Sequence, residues 1–211
     1  MMVQIKHRKT GKILWQSNVE SREDFKLAGV SIPGAFLAGA NLSRCDLSNS
    51  EMSGADLRRV CLSHGNAHSI CLRKAVLVGA DMQGADFTDA KMELAQISQA
   101  NLQSAIFRYA KLRQANFSAC NLTGADLSMA DLSNANFTDA ILIGADLRGA
   151  DLRSANFSNA DLSGAHFENA NMLCARMTSA KLDQCTGLTS AKRDGRTASS
   201  RAAKPWWQVW N

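Results

Sequence analysis

Large apolar residues recur at every fifth position through most of this chain. In the stretch NLTGADLSMADLSNANFTDA, residues 121–140, they are Leu122, Leu127, Leu132 and Phe137. Five residues advance an α-helix by about 500°, so successive side chains would not form a stripe along it. On a straight strand, an odd step would turn each side chain to the opposite face. The spacing therefore excludes both a regular helix and a straight strand.

A second, small apolar residue stands two positions before each large one. Between positions 35 and 185 there are 30 such units, and the small residue is alanine in 24 of them. Residues separated by one, such as Ala125 and Leu127, point to the same side of a short extended segment. If that side always faces the core, the chain must turn in the remaining residues, where Ser, Thr, Asn and Gly are common. Each unit is therefore predicted to form one side and one corner of a polygonal coil.

The core phenylalanines indicate how many sides the polygon has. They are Phe87, Phe107, Phe117, Phe137, Phe157 and Phe167. If one turn consists of four units, all six fall on two opposite faces, and three of them stack directly. If one turn consists of three units, they scatter over every face. The sequence therefore favours a square coil.

The units resemble those of the pentapeptide-repeat family, whose consensus is Ala-(Asp/Asn)-Leu-x-x. Matching units are ANLSR (40–44), ADLRR (55–59), ADLSM (125–129), ADLSN (130–134), ADLRG (145–149) and ADLSG (160–164). The resemblance extends from position 35 to position 185 of the chain. It implies an all-β fold, the family's right-handed quadrilateral β-helix, and the handedness comes from the family alone. Thirty units would make 7.5 coils and a rod of about 36 Å, at about 4.8 Å per coil.

The segment 1–34 lacks the repeat and is predicted to cap the rod. A cap is needed because an exposed end coil would offer unpaired backbone groups to other strands. The segment VQIKHRKTGKILWQS predicts a β-hairpin with Ile5, Ile13 and Trp15 facing inward. The segment SREDFKLAG then predicts a short helix that stops at Gly29. Residues 1–34 are thus interpreted as an N-terminal hairpin/helix cap, followed by the repeat region at 35–185.

The last segment, residues 186–211, is basic and ends in three tryptophans, Trp206, Trp207 and Trp210. It can fold back over the last coil, pair with a second subunit to give a dimer, or remain disordered. Alternatively, lysines and arginines beside tryptophans are typical of an anchor that engages a membrane interface or a groove on a partner. No motif of a nucleic-acid-binding fold accompanies the basic charge, so direct nucleic-acid binding is not expected.

The formal charge of +5 belongs to the ends of the chain. Residues 1–34 carry +3 and the tail from 186 carries +4, whereas the repeat region carries −2. No apolar run approaches the length of a membrane-spanning helix and the N-terminus lacks a signal-peptide core, which favours a cytoplasmic bacterial protein. Cys45, Cys120 and Cys185 occupy the small inward position, as expected for buried thiols in a reducing compartment.

The repeat weakens between Val60 and Ile70, where Ala67 replaces the large central residue. Cys61, His64, His68 and Cys71 in this segment are zinc-ligand residue types at suggestive spacing. In a square coil, however, Cys61 and Cys71 would lie on opposite outer faces, so they could meet only if the segment left the coil. We therefore expect a local bulge or an irregular coil here rather than a metal site.

One outer edge of the predicted square collects positive charge. Residues that are 20 positions apart lie above one another in a square coil. Arg73, Arg113 and Arg153 therefore share one ladder, with Lys91 and Lys111 beside it. Glu93 lies between the first two arginines, and Asp131 and Asp151 lie on the same side. The edge is either a solvated face of mixed charge or a binding edge for an acidic partner.

The sequence predicts a non-catalytic protein without cofactors. Serine and aspartate recur because the repeat requires them, no phosphate-binding glycine loop is present, and a filled rod should lack a cleft. The first hypothesis is a scaffold that binds an unidentified protein partner. The alternative comes from the resemblance, because some pentapeptide-repeat proteins mimic DNA, bind DNA gyrase and protect it from inhibitors. Such mimicry requires a strongly acidic surface, which this rod lacks.

Overall fold

The computed structural model describes residues 2–18 and 26–189. Three strands are formed in the N-terminal part: β1 (Met2–His7), β2 (Ile13–Asn18) and β3 (Ala35–Phe36). They make one antiparallel sheet in the order β2-β1-β3. From Leu27 onward the chain winds as a coil, and β3 is one of its first sides. No helix is present among the described residues.

The coil has four sides, and each side is one five-residue unit. Parallel β-bridges join residues that are 20 positions apart, such as Asp126 and Asp146. They continue along the rod from Ser31 to Thr186. Between Leu27 and Leu182 the repeat fills 32 sides, or eight coils. Each side donates and accepts several backbone hydrogen bonds; the amide of Leu127, for example, donates to the carbonyl of Asp146 at 2.8 Å. These bonds confirm the square coil predicted from the phenylalanines.

Each corner is a tight β-turn with one residue in the left-handed region. The amide of Ala130 donates to the carbonyl of Leu127 at 3.2 Å, and Met129 between them has a φ of 61°. A positive φ at the third turn residue is the mark of a type II turn. Every fifth residue from 29 to 184 shares this geometry, and 22 of these 32 positions are not glycine. They include residues as large as Leu94 and Tyr109.

The interior is filled by the two apolar positions of each unit. The large central side chains and the small residues before them form one buried cluster along the whole rod. Phe117, Phe137 and Phe157 stack on one face, with ring centroids 5.0 and 4.8 Å apart. Phe87 and Phe107 stack in the same way on the opposite face. The predicted placement of the phenylalanines is therefore confirmed.

Cysteines replace alanine at three of the small inward positions. Cys45 and Cys120 are buried, and Cys185 is half-buried in the last coil. The thiol of Cys120 donates to the carbonyl of Ile97 at 3.1 Å, and burial raises the pKa of this thiol to about 12. Burial also raises the pKa of Cys185, to about 11. These thiols are packing groups of the core, as predicted.

The β1–β2 hairpin covers the edge of the first coil. Strand β1 pairs with β3, and the amide of Arg8 donates to the carbonyl of Gly34 at 2.8 Å. The ring of His7 lies over Gly34, where a Cβ would come within 2.5 Å of its Nε2. The first coil therefore presents a paired strand where it would otherwise expose free backbone groups.

The prediction for the inward residues of the hairpin is wrong at Ile13. Ile5 is buried and Trp15 packs against the core, but Ile13 is 42% exposed. Ile5 is opposite Trp15 and Lys6 is opposite Ile13, so Leu14 is an extra residue in a β-bulge. The bulge turns Ile13 to the outer face and lets Leu14 pack against the core instead.

The predicted helix is not confirmed. Residues 19–25 of this segment lie outside the described part of the chain, and residues 26–29 form an extended segment and a turn. Leu27 is fully buried in the core, and the amide of Gly29 donates to the carbonyl of Ser48 in the next coil. The coil therefore includes residues that precede Ala35, the predicted start of the repeat.

The expected irregularity between Val60 and Ile70 is also absent. The amides of Leu62, Ala67 and Leu72 donate to the next coil at 2.7 to 2.8 Å, as elsewhere in the rod. These bonds depend on the backbone alone, so a small central side chain does not disturb them. At Gly65, a Cβ would lie 3.0 Å from the carbonyl oxygen of Leu62, so this corner is tight.

The repeat ends at Gly187, where the chain shifts by one residue. Gly187 has a φ of 75°, and a Cβ there would collide with the backbone of Glu168. The buried side chain that follows is Leu188. No helix among the described residues is long and apolar enough to cross a membrane.

Candidate functional site

The four faces of the rod differ in charge. We use the name acidic face for the outward residues of seven units. These units are centred on Leu47 and on every twentieth residue after it, as far as Phe167. The acidic face carries two cations and six anions: Arg108 and Arg148 against Asp46, Asp86, Asp89, Asp126, Asp146 and Glu168. The next face, centred on Met52 to Met172, is called the arginine face. Its charged residues are Arg73, Lys74, Lys91, Lys111, Arg113 and Arg153 with Glu51, Glu93, Asp131 and Asp151.

Asparagine and aspartate side chains order the corners. Oδ1 of Asp126 accepts hydrogen bonds from the amide and the hydroxyl of Ser128, at 3.0 and 2.6 Å. The same arrangement recurs in many units, for example between Asn136 and Thr138. Asn136 also donates to Asn116 in the neighbouring coil at 3.1 Å. These hydrogen bonds hold the corners and join neighbouring coils, so most of these residues are structural.

The structure brings the three arginines of the predicted edge into one ladder on the arginine face. Each contacts a carboxylate of the same face: Arg73 with Glu93, Arg113 with Asp131 and Arg153 with Asp151. The guanidinium of Arg153 donates to both oxygens of Asp151 and lowers the pKa of that carboxyl below its usual value. The positive charge of this edge is therefore largely compensated within the face.

Two lysines of the edge differ from the arginines. Lys91 and Lys111 are exposed and stand next to each other on bridged sides of adjacent coils. Neither forms an ion pair within the described residues. They are the part of the predicted edge whose charge stays available to another molecule.

The acidic face contains an open groove that the sequence did not predict. It has a volume of about 1150 Å³ and crosses the coils from Arg108 to Asn169. Its lining residues are Arg108, Tyr109, Ser128, Met129, Arg148, Gly149, His166, Glu168 and Asn169. Tyr109 and Met129 lie one above the other at the corner and are 56% and 55% exposed. Exposed apolar groups inside a charged groove are typical of a protein-binding surface.

Glycine allows the apolar strip of the groove to form. The thioether of Met129 lies over Gly149 in the next coil, in the space that a Cβ at Gly149 would occupy. Met129 therefore extends along the corner, and we call Tyr109, Met129 and Gly149 the corner strip. Methionine is flexible and polarizable, so this strip can adapt to the shape of a bound chain.

Ion pairs border the strip. Nε of Arg108 donates to Asp126 across one coil, and the guanidinium of Arg148 donates to both oxygens of Asp146. The hydrogen bonds from Arg148 lower the pKa of Asp146 below its usual value. Both guanidinium groups remain more than half exposed, so their planar surfaces can stack on an aromatic side chain.

Two residues at the end of the groove have unusual surroundings. Nδ1 of His166 lies 2.8 Å from the hydroxyl of Thr186, within hydrogen-bond distance. The side chain of Thr186 also lowers the pKa of Glu168 below its usual value, so this carboxylate is charged at neutral pH. Its Oε2 is buried and accepts no hydrogen bond from the described residues. An unsatisfied buried acceptor is costly, and because this oxygen is buried it is not exposed to a ligand in the groove.

The structure does not bring the four zinc-ligand residue types together. Cys61 and Cys71 lie on opposite faces, as their separate ladders require. His64 packs over Gly84, and its Nδ1 would lie 2.6 Å from a Cβ there. No group of three or more potential metal ligands occurs within residues 2–18 and 26–189. Trp206, Trp207 and Trp210 lie outside the described part of the chain.

A family model for pentapeptide repeats matches the sequence in eight copies. The matched residues are 26–63, 72–103, 83–118, 95–133, 115–153, 130–169 and 150–186. The protein belongs to the pentapeptide-repeat family. No curated protein matches the sequence significantly.

Solved structures share the fold. HetL, a pentapeptide-repeat protein involved in heterocyst differentiation regulation from the cyanobacterium Nostoc sp. strain PCC 7120, is 25% identical with a TM-score of 0.52. The match covers 81% of this chain and 88% of HetL. Full-length QnrB1, a plasmid-mediated fluoroquinolone resistance protein, is 19% identical with a TM-score of 0.55. That match covers 82% of this chain and 88% of QnrB1, and at this identity it concerns the fold alone.

Proposed function

We propose that this protein is a non-catalytic, cytoplasmic interaction rod that binds a protein partner through the groove of the acidic face. The observation that carries the proposal is the exposure of Tyr109 and Met129 side by side, although the interior of the rod is filled. Aromatic and methionine side chains are enriched at protein interfaces, where each buries a large apolar area. The bordering arginines add charged contacts that orient the partner.

The lysine pair of the arginine face is the second contact surface that we propose. Lys91 and Lys111 would meet acidic groups of the partner, and their charge would mainly accelerate association. Arg73, Arg113 and Arg153 would contribute less, because their guanidinium groups already contact carboxylates of the rod.

The gyrase-binding DNA mimic is the weaker proposal. DNA presents a dense series of uncompensated negative charges. On this rod, the carboxylates of Asp126, Asp146 and Asp151 are paired with arginines. We therefore expect no protection of gyrase supercoiling from a quinolone. If the protein protected gyrase at a concentration close to that of gyrase, the DNA mimic would become the preferred hypothesis over the interaction rod.

Capture of the partner from a native lysate tests the groove. The double variant Tyr109→Ser/Met129→Ser should lose the captured protein, because its apolar contacts are gone. Ile141→Ser/Ile143→Ser is the matched control, since these isoleucines are 42% and 43% exposed on another face. If both variants retain the partner, or if both lose it at unchanged melting temperature, the groove is not the binding surface.

A further inference from the structure

The described part of the chain ends beside the groove. Thr186 is bridged to His166, and Gly187 packs against the backbone of Glu168. Leu188 is buried, and Thr189 is the last described residue. Residues 190–211 therefore start at the C-terminal end of the acidic face, where the groove also ends.

The composition of residues 190–211 complements the groove. This segment contains five Lys/Arg residues and one Asp, and it ends in KPWWQVWN. Around the groove, Arg108 and Arg148 are paired with Asp126 and Asp146, and Glu168 is the remaining carboxylate of the lining. Indole rings pack favourably on methionine and tyrosine and stack on guanidinium planes. The apolar character of the segment therefore matches the exposed Tyr109 and Met129 of the groove.

The segment is long enough to reach the corner strip. Tyr109 lies about four coils from Thr189, which corresponds to roughly 19 Å at about 4.8 Å per coil. Residues 190–206 can span roughly 55 Å when fully extended. The tryptophans can therefore lie along the strip without strain in the connecting residues.

We propose that residues 204–210 fold back in the same chain and occupy the groove, with the tryptophans against Tyr109 and Met129. The inference builds on the proposed function, because the segment would cover the surface that the partner needs. The tail then acts as an internal competitor that a partner must displace. Its docking, however, requires no partner and can be measured on the purified full-length protein.

Photo-crosslinking of the full chain tests this contact. The variant Tyr109→p-benzoylphenylalanine places the crosslinker on the strip, and Ile143→p-benzoylphenylalanine places it on another face. After irradiation and proteolysis, mass spectrometry should find the peptide with Trp206 and Trp207 joined to position 109. The adduct from position 143 should be at least tenfold weaker. Mixing isotopically heavy and light protein before irradiation should yield no mixed adducts.

Three results would overturn the proposal. They are the absence of a tail adduct at position 109, equal adducts from positions 109 and 143, and adducts that join heavy to light protein. The last result would mean that a second copy supplies the tail. If the tail docks in the same chain but Tyr109→Ser/Met129→Ser still captures the partner, the function proposed for the groove fails while this inference stands. If position 109 forms no tail adduct but capture depends on Tyr109 and Met129, only the inference fails.

Discussion

Phe137 and Tyr109 belong to ladders that both repeat once per coil, one inside the rod and one at its corner. Inside, Phe117, Phe137 and Phe157 stack at 5.0 and 4.8 Å, so each ring is fixed by the coils on both sides. At the corner, Tyr109 and Met129 are more than half exposed. Interior positions are thus constrained by their neighbours, whereas a corner position only has to adopt a left-handed backbone. The corners can therefore differ from coil to coil and give each face its own chemistry.

Removal of an interior ring should have the largest effect on stability. Phe137→Ala leaves a cavity between two stacked rings and should lower the free energy of unfolding by about 3–5 kcal/mol. Tyr109→Ala, the matched change at the corner, should cost about 0.5 kcal/mol or less because the ring is exposed. Chemical denaturation of both variants measures the difference. Similar losses would refute the contrast between interior and corner.

Corner substitutions should change stability in the direction set by φ. Ala119 has a φ of 55°, and a left-handed backbone costs a residue with a Cβ about 1–2 kcal/mol. Glycine avoids this strain but loses about 0.5–1 kcal/mol through its freer unfolded state. Ala119→Gly should therefore stabilise the protein by about 0.5 kcal/mol, the difference between these two effects.

Gly144→Ala is the reverse test, because Gly144 has a φ of 65° and open space around a Cβ. It should destabilise the protein by about 0.5–1 kcal/mol, because the backbone strain exceeds the gain from a less flexible unfolded chain. Thermal melts of the two variants should shift in opposite directions. Shifts of the same sign would mean that the corner backbone relaxes instead of storing strain.

The ion pairs on the outer faces should have the smallest effect, and it should depend on pH. Arg153 holds the pKa of Asp151 below its usual value of 3.8. A lowered folded pKa stabilises the protein above the unfolded value, and this stabilisation is lost as the pH falls through the folded pKa. Arg153→Gln should therefore melt slightly below the parent protein at neutral pH. The gap should close once Asp151 is protonated, and a gap that persists in acid would exclude the pair as its cause.

The sequence was sufficient for the coil but not for its corners. The fivefold spacing and the phenylalanines predicted a square turn of four units, since core positions are restricted to large apolar residues. The left-handed corners were missed because many residue types, including Leu94 and Tyr109, occupy them. Glycine marks 10 of the 32 corners, so residue type alone could not reveal a backbone state shared by all.

The candidate site was predicted less well than the fold. The ladder of Arg73, Arg113 and Arg153 follows from the four-unit turn, but its ion pairs depend on rotamers that a sequence does not specify. The sequence contains one weak indication of the groove. Tyr109 and Met129 are large apolar residues at corners that lie one above the other in adjacent coils. That signal is weak because large apolar residues also occupy other corners, such as the one at Leu94. The error at Ile13 has another cause, because a β-bulge reverses alternation and has no residue signature there.

The four-unit turn also limits how such a rod can change its length. Loss of four consecutive units would remove one whole layer, shorten the rod by about 4.8 Å and leave every remaining ladder in register. Loss of a single unit would keep all core positions in phase but rotate everything beyond it by a quarter turn. The arginine face of one half would then continue the acidic face of the other. Insertions and deletions that preserve the surface are therefore restricted to whole layers.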